Sequence, residues 1–115
     1  MDKIYNPCGQ KLIIPTRDGF EFIEYDSILY GEAAGNSCKL KLEDRMIKVS
    51  KPLKSIESKL PSEQFMRVHQ SFLVNIHTIV KYIKGNGGYV VLSDGTELKV
   101  AESKKREALQ RLGVL

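Results

Sequence analysis

The chain has 115 residues, 42% hydrophobic and 28% charged, with a formal net charge of +4. That length supports one packed core but not a core plus an elaborate catalytic cleft, and the composition is too apolar for a disordered chain. No run of residues is long and apolar enough to cross a bilayer, the opening MDKIYNPCGQ lacks the apolar centre of a secretion signal, and Cys8 and Cys38 stand in no CxxC spacing, so the expectation is a cytoplasmic protein with reduced thiols.

Strand signals begin early. KLIIPTR and FEFIEY flank Asp18-Gly19, which has the composition of a hairpin turn. ILYGEA and SCKLKLE flank Gly35-Asn36, and Cys38, Leu40 and Leu42 alternate with Lys39 and Lys41 as a half-buried strand requires. MIKVS follows the turn residues Glu43-Asp44-Arg45. SKPLKSIESKL then breaks the β rhythm: with Ser50 as N-cap and Pro52 in the first turn, it predicts a short helix bearing Leu53, Ile56 and Leu60 on one face. Next comes FMRVHQSFLVNIHTIV, an apolar β-branched run interrupted by the polar triplet His69-Gln70-Ser71. IVKYIK, YVVLS and ELKV are three further strands, separated by Gly85-Asn86-Gly87-Gly88 and Asp94-Gly95. ESKKREALQRLGVL reads as a terminal helix with Leu109 and Leu112 apolar and Gly113 as its stop. The sum is a mainly β domain of at least eight short antiparallel strands, with one internal and one C-terminal helix.

The polar triplet carries a family resemblance. F-x-R-V-H-x-S-F-L-V-N from Phe65 to Asn75, followed by a strand, a glycine turn and L-S-D-G-T-E-L-K-V, resembles the LytTR DNA-binding domain. ILYGEAAGNSCKLKL and LKSIESKL are similar to elements upstream in that family. The resemblance covers roughly residues 20–112. It implies an elongated arrangement of three small antiparallel sheets, with residues 20–115 as the domain and 1–19 as an N-terminal extension holding the first strand. It also implies the output domain of a bacterial two-component response regulator, binding double-stranded DNA through loops in successive major grooves. Homodimers on direct repeats, and a receiver domain or sensor kinase upstream, belong to the same implication. Residues 1–19 are too short for a receiver or a membrane segment, so the expectation is a free-standing regulator or an excised domain.

Carried over position by position, the DNA-facing places are the turn at Gly35, Asn36, Ser37 and Cys38, the loop His69, Gln70 and Ser71, and the segment Ala101 to Lys105. Base contacts fall to Gln70, Asn36, His69 and Lys104, because amides and cations match base-edge acceptors and donors. Phosphate contacts fall to Lys39, Lys41, Arg67, Ser71, Lys105 and Arg106. All but Gln70 have a plainer reading, which for any single lysine or arginine is a solvated face. Asn36 suits a left-handed turn, His69 and Ser71 suit loop support, Arg67 alternates with Met66 and Val68 as the solvent face of a strand, and Asn75 suits an Asx turn or cap. The sequence also departs from the family, whose members carry Ser-Arg-Arg after the last strand. Here the run is Ala101-Glu102-Ser103, and the family's aromatic after Gly-Asn is Ser37.

Charge is divided in the same sense: residues 1–38 are net −3 and the rest net +7, a surplus that suits a phosphate backbone or a solvated lysine surface. Catalysis lacks support, since His69, His77, Cys8 and Cys38 show no metal-binding or nucleophile spacing; the expectation is a non-enzyme without cofactors. RNA stacking is disfavoured because Phe20, Phe22, Phe65 and Phe72 fall where core side chains belong. The remaining alternative is an interaction module of the same fold that binds DNA weakly or without sequence preference.

Overall fold

The computed structural model describes residues 11–113. Cys8 lies outside them; Cys38 is a free, buried thiol. The described chain forms ten strands and two short helices: β1 (Lys11–Thr16), β2 (Gly19–Glu24), β3 (Ile28–Ala34), β4 (Ser37–Leu42), β5 (Met46–Val49), α1 (Leu53–Glu57), β6 (Phe65–His69), β7 (Phe72–Asn75), β8 (Ile79–Ile83), β9 (Tyr89–Leu92), β10 (Glu97–Lys99) and α2 (Lys105–Arg111). Single 3₁₀ turns precede β3, β8 and α2.

Every strand pairing is antiparallel, and the strands make three sheets: β1-β2, β5-β4-β3-β7-β6 and β10-β9-β8. The five-stranded sheet is the middle layer. Cys38, Leu40, Leu42, Val49, Phe65 and Leu73 point from one face to α1 and to Leu12, Ile14 and Ile23 of the β1-β2 hairpin. Tyr30, Met66, Val68 and Val74 point from the other face to Val90, Leu92 and Leu98 of the three-stranded sheet and to Ala108 of α2. Such alternation is what period-2 side-chain geometry gives a strand buried on both sides. The radius of gyration is 14.7 Å and the extents are 44 × 39 × 23 Å, more extended than the roughly 13 Å of a compact domain of this size.

Several local expectations shift. The first hairpin turns at Arg17-Asp18, because Thr16 pairs with Gly19 and the glycine opens β2. Ser50 does not cap α1; Pro52 holds the N-cap place with extended backbone and no side-chain cap bond, since a proline keeps the residue before it out of the helical region. In α2 the buried side chain is Ala108, while Leu109 and Leu112 are half-buried. Phe65 is core at 4% exposure, but Phe20 and Phe22 are 69% and 54% exposed. They pair with Pro15 and Ile13 on the outer face of the hairpin, and alternation alone tells which residues share a face without telling which face is buried.

Candidate nucleic-acid interface

The polar triplet breaks its apolar run because the chain reverses there. β6 and β7 close at the pair His69↔Phe72, leaving Gln70 and Ser71 as a two-residue tip. A register shift between Arg67 and His69 marks a bulge beside the tip, which adds twist and re-aims the end of the strand. The N–H of Ser71 donates to Nδ1 of His69 at 3.1 Å, so the imidazole keeps its proton on Nε2 and retains that N–H as its donor. The ring leans on Phe72, 5.5 Å between centroids at 42°. Gln70 is exposed at the summit.

Arg67 holds this tip from below. Its Nε donates to the His69 carbonyl at 3.1 Å and Nη2 to the Gln70 carbonyl at 2.6 Å, while Nη1 meets the Glu57 carboxylate of α1 at 2.7 Å. The side chain is only 22% exposed. The guanidinium is turned to its own loop and to α1, which differs from the solvent-face placement that strand alternation suggested.

The neighbouring tip lies between β3 and β4. Ala34↔Ser37 is the last pair, so Gly35 and Asn36 make the turn. Gly35 takes φ +67°, and the only non-glycine residue with positive φ among those described is Asn86. Glycine at the first turn position is the pattern of a type II′ hairpin. Asn36 is therefore not needed for a left-handed backbone, and its exposed amide requires another account.

Strand order puts these two tips side by side. β3 pairs with β7 up to Glu32↔Phe72, and beyond that pair the N–H of Ala33 donates to the Ser71 carbonyl at 2.9 Å. Two strand spacings separate the tips, about 10 Å. The third segment joins on the far side of β6, where the N–H of Ala101 donates to the Val68 carbonyl at 2.8 Å. Glu102–Lys104 then make a 3₁₀ turn into α2. The segment is fixed from behind by the Gly85–Gly88 turn: Val100 donates to the Gly88 carbonyl at 2.9 Å, and a Cβ on Gly87 would lie 2.5 Å from the Val100 carbonyl oxygen. The Asn36 turn, the Gln70 tip and the Glu102–Lys104 turn thus stand in a row at one end of the middle sheet.

The cations are distributed around this row. Lys39 is exposed, opposite Glu32 on β3 and Lys48 on β5. Lys41 is further from the tip and lies near Asp94, whose carboxyl has a lowered pKa: burial pushes it up, but hydrogen bonds from Thr96 and the charge of Lys41 outweigh that. Lys104 is 42% exposed, with Nζ 4.0 Å from the Glu107 carboxylate, an exposed i,i+3 pair worth a few tenths of a kcal/mol, roughly. Lys105 and Arg106 are exposed at the start of α2. Phe20 and Phe22 leave exposed apolar surface on the hairpin, where the charges are mixed: Asp18, Glu24 and Asp26 are exposed with Arg17, and Lys51 and Lys59 line the same cleft as Phe20.

Two residues that matter to the row escaped sequence reasoning. Gly87 carried a signal, the GNGG run, read only as a turn. Glu57 carried none, because its tie to Arg67 is formed only when α1 packs on the sheet. Among the described residues no group of three or more His, Cys, Asp or Glu is placed to hold a metal, and no helix is long and apolar enough to cross a membrane.

A family model described as the LytTr DNA-binding domain matches residues 18–113. The chain is 30% identical over 114 residues to the sensory transduction protein LytT of Bacillus subtilis, a match spanning 93% of this chain and 46% of that protein. It is 26% identical over 101 residues to the transcriptional regulatory protein NatR of the same organism, spanning 84% of this chain and 42% of NatR. The chain therefore spans under half the length of these relatives. Among solved structures, the LytTr DNA-binding domain of a methyl-accepting/DNA response regulator from Bacillus cereus superposes with a TM-score of 0.78 at 23% identity, covering 90% of this chain and 97% of that one. At that identity the likeness concerns the fold.

Proposed function

This chain belongs to the LytTR family of DNA-binding domains, and on that premise we propose that it reads duplex DNA by sequence through the three-segment edge, as the output domain of a cytoplasmic transcription regulator. The observation that carries the reading is the row itself. Three segments distant in sequence, each with an exposed polar or cationic side chain, are brought to one end of a rigid sheet by strand order and main-chain hydrogen bonds. Contacts arranged along a line can follow a groove, and loops on a rigid scaffold can present polar groups without burying them unpaired.

Within this reading Gln70 and Asn36 offer side-chain amides to adenine N6 and N7, the His69 Nε2–H donates to a base or phosphate acceptor, and Lys104 donates to a guanine acceptor after leaving Glu107. Ser71, Lys39, Lys41, Lys105 and Arg106 hold phosphates and set register. Arg67 is better employed shaping the tip than meeting DNA. The loops enter successive major grooves of repeated sites, with homodimers on direct repeats. An upstream receiver domain or sensor kinase fits the relatives' names, which describe sensory transduction.

One observation favours weaker reading at one end of the row. Exposed Glu102 stands in the third segment, and Lys104 lacks the rigid fork with which arginine recognises guanine. The alternative is an interaction module that binds DNA without sequence preference. Selection of bound sequences from a random duplex pool at two salt concentrations separates the two. Enrichment of a repeated motif supports the regulator; salt-sensitive binding without enrichment supports the module.

A further inference from the structure

We propose that Glu57, on α1 and outside the row of DNA-facing segments, is a positioning residue for sequence discrimination: through Arg67 it sets the conformation of the Gln70 tip. The proposal rests on the reading of that tip as a base-contacting loop. Arg67 bridges three groups at once, the His69 carbonyl at 3.1 Å, the Gln70 carbonyl at 2.6 Å and the Glu57 carboxylate at 2.7 Å. A guanidinium is planar with its donors at fixed angles, so fixing one edge on a carboxylate fixes where the others point. The carboxylate that fixes it comes from the last residue of α1, a helix anchored in the core through Leu53 and Ile56 at 2% and 5% exposure.

The tip is braced from both sides. Within it, Ser71 is held to His69 Nδ1 and its carbonyl to Ala33 of the adjacent hairpin. Beneath it the two consecutive carbonyls of His69 and Gln70 converge on one arginine. The Glu57 charge also neutralises Arg67 locally, which removes it from the set of cations that release counterions from DNA. A cleft of about 230 Å³ continues from this pair to Lys104, Glu107 and Arg111, so the brace adjoins the third segment too. Without Glu57 the fork is free to rotate, the two carbonyls lose a shared donor, and the Gln70 side chain starts from more than one backbone conformation. Affinity resting on phosphates tolerates that change, whereas base contacts with strict hydrogen-bond geometry do not.

The test compares Glu57→Ala, Glu57→Gln and Arg67→Lys with the unaltered protein on a selected operator and on random duplex. Glu57→Ala and Arg67→Lys are expected to lose on the order of tenfold in operator affinity with no loss on random duplex; in Glu57→Ala the unpaired Arg67 charge steepens the salt slope by at most about one, and in Arg67→Lys the slope is unchanged. Glu57→Gln, which keeps an acceptor for Nη1, is expected to retain most of the preference. In a Gln70→Ala background Glu57→Ala should have little further effect, since both act through one contact. Operator affinity unchanged by Glu57→Ala overturns the proposal. So does an Arg67→Ala variant that loses equally on both DNAs and lowers the salt slope by about one, because Arg67 is then a phosphate contact. Should no operator exist, the base-reading premise fails separately. Amide exchange at Gln70 and Ser71 in the free protein still decides the brace: faster in Glu57→Ala if it exists, unchanged if it does not.

Discussion

Asn75 is the one polar residue in the core among those described, 1% exposed. Its amide donates to the Ile28 carbonyl at 2.8 Å, and its Oδ1 accepts from the N–H of His77 at 2.9 Å. One side chain thereby ties the end of β7 to the start of β3, the two strands whose opposite ends carry the Gln70 and Asn36 tips. Asn75→Ala leaves buried main-chain groups without partners, each costing about 1–3 kcal/mol; the expected loss is about 2–4 kcal/mol, read as a lower urea midpoint with an unchanged slope. The local half of this role, the turn onto His77, was legible from sequence, since an asparagine ending an apolar strand before a polar turn has a capping job; the bond to Ile28, 47 residues away, was not. Arg67 was not, because what turns it inward is a carboxylate ten residues away on another element. Asn36 was half legible: the Gly-Asn pair announced the turn, but only the backbone angles assign the left-handed place to Gly35 and release the asparagine.

Among elements, the hairpins were the readable part and their docking was not. β3-β4 followed from period-2 alternation around a glycine turn, and its loop fell where expected. The β1-β2 pairing was equally readable, yet its apolar residues on both faces gave no clue that Phe20 and Phe22 face outward. The Gly85–Gly88 turn makes the point energetically. A Cβ at Gly87 meets main chain at 2.5 Å, at φ +100°, whereas a Cβ at Gly35 meets nothing within 4 Å, at φ +67°. Gly35→Ala should therefore cost about 1 kcal/mol, from backbone conformation alone. Gly87→Ala adds a main-chain clash, costs more, roughly 2–4 kcal/mol, and displaces the Val100–Glu102 segment. Urea midpoints of the two variants check the order; equal losses would mean that the turn does not buttress the third segment.

At the scale of the molecule, three layers of β structure hold one edge bare, and of the basic residues Lys39, Lys104, Lys105 and Arg106 belong to the strand, turn and helix start that border it. Lys105, exposed at the start of α2, is assigned a phosphate. Lys105→Ala should weaken binding equally on all sequences and lower the slope of log K against log salt by about one; a loss confined to the operator would make it a base reader. The family resemblance, carried by Phe65 to Asn75 together with matched stretches on both sides, named the three segments that the fold brings to one end of the sheet, and nothing in composition or periodicity could have done so. If the edge reads sequence and Gln70 is part of the reading, selection of bound duplexes from one random pool, with the unaltered protein and with Gln70→Ala in parallel, must show it. The expected result is a repeated motif for the unaltered protein and, for the variant, the same motif with preference lost at one position per repeat, a discrimination worth about 1–3 kcal/mol. Identical motifs from both proteins, or none from either, would contradict it.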